Sequence, residues 1–216
     1  MSEDHPILEL IRRRSTREQF DPDRALDTHE IRELVRDASR APSSFNLQHS
    51  RFLAVRRPAD KERLCRAAHA QDQVANAAVT FIILGDLRAV EMLPSIMSVA
   101  VEHGALPQGK AAAWIRMARE IYADERKARD EAFRSASLSA MTMMYAAEAR
   151  GMVTAALSGF DVEQVQREFG IQDRYVPVML LAVGYPCGSE SPRMPRLDVS
   201  QLLTFDHGPL SGPHER

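Results

Sequence analysis

Arg12-Arg13-Arg14-Ser15-Thr16-Arg17 puts four guanidinium groups and two hydroxyls into six residues, the densest charge cluster in the chain. Such a run can grip an anion, because guanidinium groups fork onto phosphate oxygens and a serine hydroxyl adds one more hydrogen bond. It reads equally as a solvated helix end, where cations gain about 0.3–1 kcal/mol from the helix dipole. A charge-assisted phosphate contact is worth more, roughly 1.5–3 kcal/mol net. Pro42-Ser43-Ser44-Phe45-Asn46-Leu47-Gln48 is a second constellation. Its short donors and acceptors on a turn suit the edge of a flat heterocycle, although an ordinary helix-to-strand loop has the same composition. In Gly151-Met-Val-Thr-Ala-Ala-Leu-Ser-Gly-Phe-Asp161, a strand runs into a capped helix, and Gly159 allows close approach to the backbone there.

Other chemistries lack their residues. The seven histidines are scattered, with no HExxH and no Cys/His cluster, so no metal site is expected. Ser158-Gly159 follows Leu157 and lacks the glycine of a nucleophile elbow. The ten glycines never approach closer than four positions, which forbids a GxGxxG turn, and no GxxxxGK[ST] loop is present. A formal net charge of -2 and 6% aromatics give neither the field nor the stacking platform for nucleic acid. Cys65 and Cys187 lack CxxC spacing and the density of a disulfide scaffold, so a cytoplasmic protein is expected. The opening MSEDHP is acidic with no apolar signal core after it, and Ala136–Ala149 is too short and too interrupted to span a membrane.

The elements that position these groups follow from periodicity. A short helix over Ile7–Ile11 ends at the arginines, and Asp27 with Glu30 forms a capping box for a second helix. Arg51–Arg56 reads as a strand, with a helix from Pro58 to about Ala70 after it. Val79–Leu84 and Val176–Val183 are continuous apolar runs, the pattern of buried strands. Residues 86–110 are helical but punctuated by Pro94, Gly104, Pro107 and Gly109, either a lid or a surface insertion. Helices are expected over Ala111–Lys127 and Glu131–Arg150, the second apolar nearly all round and stopped by Gly151. A short helix follows Asp161, and residues 186–216 read as an extended, proline-punctuated arm. Length and alternation point to one three-layer α+β or α/β domain.

The order of the motifs carries a resemblance. Arg13-Arg14-Ser15-Thr16-Arg17 with Phe20, Ala41-Pro-Ser-Ser-Phe-Asn-Leu-Gln48, AAEARGM at 146–152, Ser158-Gly-Phe-Asp161, VPVMLLAVGYP at 176–186 and Pro192-Arg193 together resemble the nitroreductase family of FMN-dependent oxidoreductases. The resemblance implies an α+β three-layer sandwich, its central sheet mostly antiparallel and flanked by helices, forming an intertwined homodimer with FMN at the interface. Carried over by position, Arg13, Arg14, Ser15 and Arg193 would hold the FMN phosphate, and Arg17 would lie near the ring's N1/O2 edge. Ser43, Ser44 and Asn46 would come from the partner chain, Gln73 would reach the pyrimidine edge, and Ser158 and Gly159 would face N5. Three positions depart from the family: His49 where proline is frequent, Ser158 where some members are acidic, and Ser191 where a basic residue precedes Arg193.

The expected activity is hydride transfer from NAD(P)H through FMN to a nitroaromatic, a quinone or a similar small acceptor. No side chain acts as nucleophile, since the flavin carries the chemistry. Two other classes stay open: a flavoprotein of this fold with another role (dehalogenation, oxidation, flavin storage), and a non-enzymatic adaptor that uses Arg12–Arg17 on an acidic partner.

Overall fold

The computed structural model describes residues 5–188 and 192–206. Ser191 and residues 207–216, with the end of the expected C-terminal arm, lie outside the described residues. Local capping explains where several helices begin. In α2 (Thr28–Ala38), Asp27 accepts from the Glu30 N–H at 2.8 Å while the Glu30 carboxylate accepts from the Asp27 N–H at 2.8 Å. This is the capping box read from the sequence. It follows α1 (Pro6–Arg13), which buries no residue in this chain.

The centre is a four-stranded sheet of β1 (Ser50–Val55), β2 (Val79–Asp86), β3 (Val153–Leu157) and β4 (Tyr175–Gly184) in the order β1-β2-β4-β3. All three ladders are antiparallel. Every residue of β2 is buried, as its apolar run requires, and the strand continues through Gly85 to Asp86. Phe81 and Ile83 enter a core with Leu34 of α2 and with Ala136, Ala140 and Met143 of α7 (Glu125–Ala149). Ile82 and Leu84 point the other way, toward α3 (Pro58–Ala67), α4 (Asp72–Asn76) and α8 (Val162–Phe169), where Leu64, Val74 and Val165 are buried. The alternation of a strand with two buried faces thus builds the helix–sheet–helix sandwich. Gly85 lets α7 lie close: a Cβ there would stand 2.9 Å from the Ala132 Cβ.

Three expectations are corrected. The helix beginning at Pro58 ends at Ala67, not Ala70, because His69 and Ala70 turn into left-handed backbone at φ 54° and 58°. The break expected between Lys127 and Glu131 falls instead between α6 (Gln108–Ile121) and α7, where the Asp124 carboxylate accepts from the Arg126 N–H at 2.9 Å. The run Ala123–Asp130 is polar enough for helix surface, so a cap decides its start. And the helix expected to be apolar nearly all round, α7, buries one face within the chain. Its buried residues fall on one face, from Ala128 through Ala132, Ala136, Ala140 and Met143 to Ala147, while Leu138 is 43% exposed.

The segment 86–110 contains α5 (Leu93–Glu102), and it has a core of its own. Leu93 and Met97 pack with Leu47, Ala89, Ala111 and Ala118. Among the described residues, no helix is long and apolar enough to cross a membrane.

Candidate functional site

The arginine segment leaves α1 and lies against β3. Thr16 bridges Thr154 in parallel, and the Arg17 N–H donates to the Thr154 carbonyl at 3.1 Å. Three residues on, Phe20 is buried and bridges Pro186; it occupies the space a Gly184 side chain would need, 2.8 Å from the position of a Cβ. Arg17 is therefore held from both sides and is only 8% exposed. The C-terminal arm returns to the same place, where Arg193 Nη2 donates to the Arg14 carbonyl at 2.7 Å. Arg14, Ser15, Thr16, Arg193 and Arg196 line a cleft of about 300 Å³.

Not every predicted arginine faces this cleft. Arg13 turns to the end of α7, its Nε 3.0 Å from Glu148 Oε1 and its Nη2 3.3 Å from the Glu148 carbonyl. Arg196 was not singled out from the sequence, yet it shares the cleft with Arg14 and Arg193. Its signal is the repeated Pro-Arg of Pro192-Arg193-Met194-Pro195-Arg196. The cleft thus gathers three guanidinium groups and the Ser15 hydroxyl, a donor set suited to a phosphate dianion.

Ser158 and Gly159 are exposed just past the other end of β3. From Thr154 to Ser158 a strand rises about 13 Å. Nothing inside the chain demands glycine at 159, whose φ is not left-handed and whose Cβ would meet only Gln71 Nε2, at an ordinary 3.6 Å. Gln73 lies half-buried on α4, next in sequence to the loop that contacts Gly159 through Gln71.

The Ser43–Gln48 turn belongs to a different part of the molecule. Phe45, Asn46 and Gln48 all have φ between 50° and 57°, left-handed backbone that costs non-glycine residues about 1–3 kcal/mol each. Packing and hydrogen bonds hold the turn there. Ser43 Oγ accepts from the Gln48 N–H at 2.9 Å, Ser44 Oγ accepts from the Tyr122 hydroxyl at 2.9 Å, and Leu47 is buried. Phe45 meets Trp114 and Tyr122 edge to face, and buried Glu131 accepts from the Ser44 N–H at 3.5 Å. Tyr122 and Glu131 were not among the sequence candidates, since their partners lie 78 and 87 residues away.

Glu131 and Glu148 sit on the same helix, α7, one supporting the turn and the other holding Arg13. Seventeen residue steps of helix separate them, a rise of about 25 Å. One chain therefore brings Arg14, Ser15, Arg17, Arg193, Ser158 and Gly159 to β3 and holds Ser43, Ser44 and Asn46 far along α7.

His49 ends the turn and is buried. Its Nδ1 lies 2.9 Å from the Asp86 carbonyl, so Nδ1 must carry the proton, and Nε2 has no partner among the described residues. Burial lowers its pKa below 6.5, while the Asp86 hydrogen bond and the Glu131 and Asp86 charges pull it up and Arg51 pushes it down. The unfolded chain binds this proton first, so the stability His49 contributes as a neutral ring is present above about pH 6.5 and is lost as pH falls toward the lowered folded value. In His49→Asn the amide takes over the Nδ1 donor, and the fall in urea midpoint between about pH 7.5 and 5.5 should become shallower than in the wild type. Equal slopes would show that His49 does not titrate with unfolding.

The chain is similar to known proteins in sequence and in fold. A Bacillus subtilis protein named as an NAD(P)H nitroreductase, YodC, is 34% identical over 198 residues, covering 91% of this chain and 98% of its own. A nitroreductase crystal structure in complex with FMN from Exiguobacterium sibiricum superposes with a TM-score of 0.85 at 28% identity, covering 92% of this chain and 96% of the other. A structure described as an NAD(P)H:FMN oxidoreductase from Staphylococcus epidermidis gives a TM-score of 0.86 at 27% identity, covering 95% and 98%. The nitroreductase family profile matches residues 10–185, from the last turns of α1 to just past β4. With the sheet order, the arginine segment on β3 and the strained turn all inside that span, the chain belongs to the nitroreductase family.

Proposed function

We propose that this protein is an FMN-dependent oxidoreductase that passes hydride from NAD(P)H to a small oxidised acceptor such as a nitroaromatic or a quinone. One observation carries the reading: a cleft of three arginines and an exposed glycine with no internal reason to be glycine lie at the two ends of the short strand β3. A phosphate fits the first, and a planar ring in close contact fits the second. The chemistry FMN supplies when bound is hydride acceptance from NAD(P)H and electron delivery to the acceptor. Arg14, Ser15, Arg193 and Arg196 then neutralise and orient the phosphate, with Arg13 behind them on Glu148. Buried Arg17 stabilises negative charge at the N1/O2 edge, and Gln73 reaches the pyrimidine edge. Ser158 and Gly159 present their backbone toward N5.

The turn of Ser43, Ser44 and Asn46 completes the site from a second copy of the chain. The separation of about 25 Å along α7 supports this, because a single copy cannot close the turn over its own arginine cleft. So does the exposed apolar surface of α1 and of the arm, where Ile7 is 59%, Met194 78% and Phe205 77% exposed. A homodimer covers such surface.

Purified full-length protein should be yellow and release FMN on denaturation, and anaerobic NADH or NADPH should bleach it. Protein that neither carries nor takes up FMN would end the proposal. Bound FMN that neither nucleotide reduces would instead favour flavin storage or a different reaction.

A further inference from the structure

The loop facing the proposed ring site is fixed from behind by one side chain. Gln71 Nε2 donates to the Gly159 carbonyl at 2.7 Å and to the Ala68 carbonyl at 3.0 Å. Both acceptors are carbonyls, so the amide orientation is unambiguous and both of its N–H groups are used. The backbone that delivers Gln71 is strained: His69 and Ala70, neither of them glycine, are consecutive left-handed residues. Strain of that kind persists where the surroundings enforce it. Here the enforcement is visible, since the Ala70 N–H donates to the Cys65 carbonyl at 2.9 Å and Cys65 Sγ to the Gln71 carbonyl at 3.4 Å.

The other end of the same peptide is tied as well. The Phe160 N–H donates to the Ser158 carbonyl at 3.2 Å, a three-residue turn centred on Gly159, and the Asp161 N–H donates to the Ala67 carbonyl at 2.8 Å. The peptide joining Gly159 and Phe160 is thus satisfied at both its oxygen and its nitrogen. The Gly159 N–H is different: it has no acceptor among the described residues. A turn anchored by its carbonyl to Gln71, just ahead of α4, offers that donor on its open face.

We infer that Gln71 is a positioning residue: by holding the Gly159 carbonyl, it aims the Gly159 N–H at the flavin N5. The assignment rests on the FMN reading above. Gln71 touches no reacting atom. It keeps a donor in place that would otherwise rotate with the loop, and a preorganised donor costs no reorganisation during hydride transfer.

The test uses full-length protein loaded with FMN labelled with nitrogen-15, and the variants Gln71→Met, which keeps the shape without donors, and Gln71→Ala. A hydrogen bond accepted by N5 shifts its resonance upfield. Both variants should therefore move the N5 signal downfield while N10 stays in place. Anaerobic flavin reduction should slow about tenfold with the KM for NAD(P)H unchanged, the pattern of an interaction made at the chemical step. An unmoved N5 signal in folded, FMN-loaded Gln71→Met overturns the inference and leaves the function intact. A wild-type chain that takes up no FMN overturns both.

Discussion

Asp86→Ala should lower the unfolding free energy by about 3 kcal/mol, near the lower end of the 3–5 kcal/mol range for breaking a buried ion pair from one side. The carboxylate at the end of β2 is fully buried and takes a forked pair from Arg174, with Nε at 2.8 Å and Nη2 at 2.9 Å. Arg51 Nη2 adds a contact at 3.2 Å and the Arg88 N–H another at 3.0 Å. Removing the carboxylate strands these donors around a cavity. The value stays near the lower end because the arginines have outlets: the Arg51 side chain is 40% exposed, and Arg174 keeps Glu91 at 3.1 Å. Glu91→Ala is the control. Its side chain is 55% exposed, and an exposed pair is worth about 0–1 kcal/mol. Urea unfolding at fixed protein and FMN concentrations checks both. Equal losses in the two variants would mean that burial does not set the strength of this cluster.

Arg17→Ala should weaken FMN binding roughly 10- to 150-fold, the equivalent of about 1.5–3 kcal/mol for one charge-assisted contact. Arg17 is expected to matter most of the arginines because it is 8% exposed and its backbone is bonded to Thr154, so little side-chain freedom remains to be lost on binding. Arg193→Ala should weaken binding less, because that side chain is exposed and holds the Arg14 carbonyl. Arg13→Ala should change the dissociation constant least, at most about fivefold, since its exposed contact with Glu148 belongs to the class worth about 0–1 kcal/mol. Fluorescence titration of apoprotein with FMN gives the order directly. Wild-type affinity in Arg17→Ala would remove this residue from the proposed site, and a larger effect at Arg13 would reverse the division between the cleft and α7.

Legibility in the sequence tracked the distance between partners. The Asp27–Glu30 capping box and the start of α8 after Asp161 both depend on groups within a few positions. The apolar run of β2 required burial on both faces, and it is buried on both. The break between α6 and α7 was misplaced because a long alanine-rich stretch supports a helix on either side, and only the Asp124 cap chooses. The second expected helix, apolar nearly all round, buries only one face within the chain because small residues tolerate burial without requiring it.

The same rule divides the candidate site. Residue types and order alone singled out the arginine run, the Ser43–Asn46 turn and the Ser158-Gly159 segment as candidates, since each is contiguous and its chemistry is carried by composition. Tertiary structure decided where each is placed. It turned Arg13 to Glu148, 135 residues away, and brought Arg196 into the cleft. It joined Gln71 to Gly159 across 88 residues and twisted Phe45 and Gln48 into left-handed backbone that their local propensities disfavour. Hydrogen bonds and packing between remote segments pay for those conformations, and no local pattern encodes which remote group will arrive.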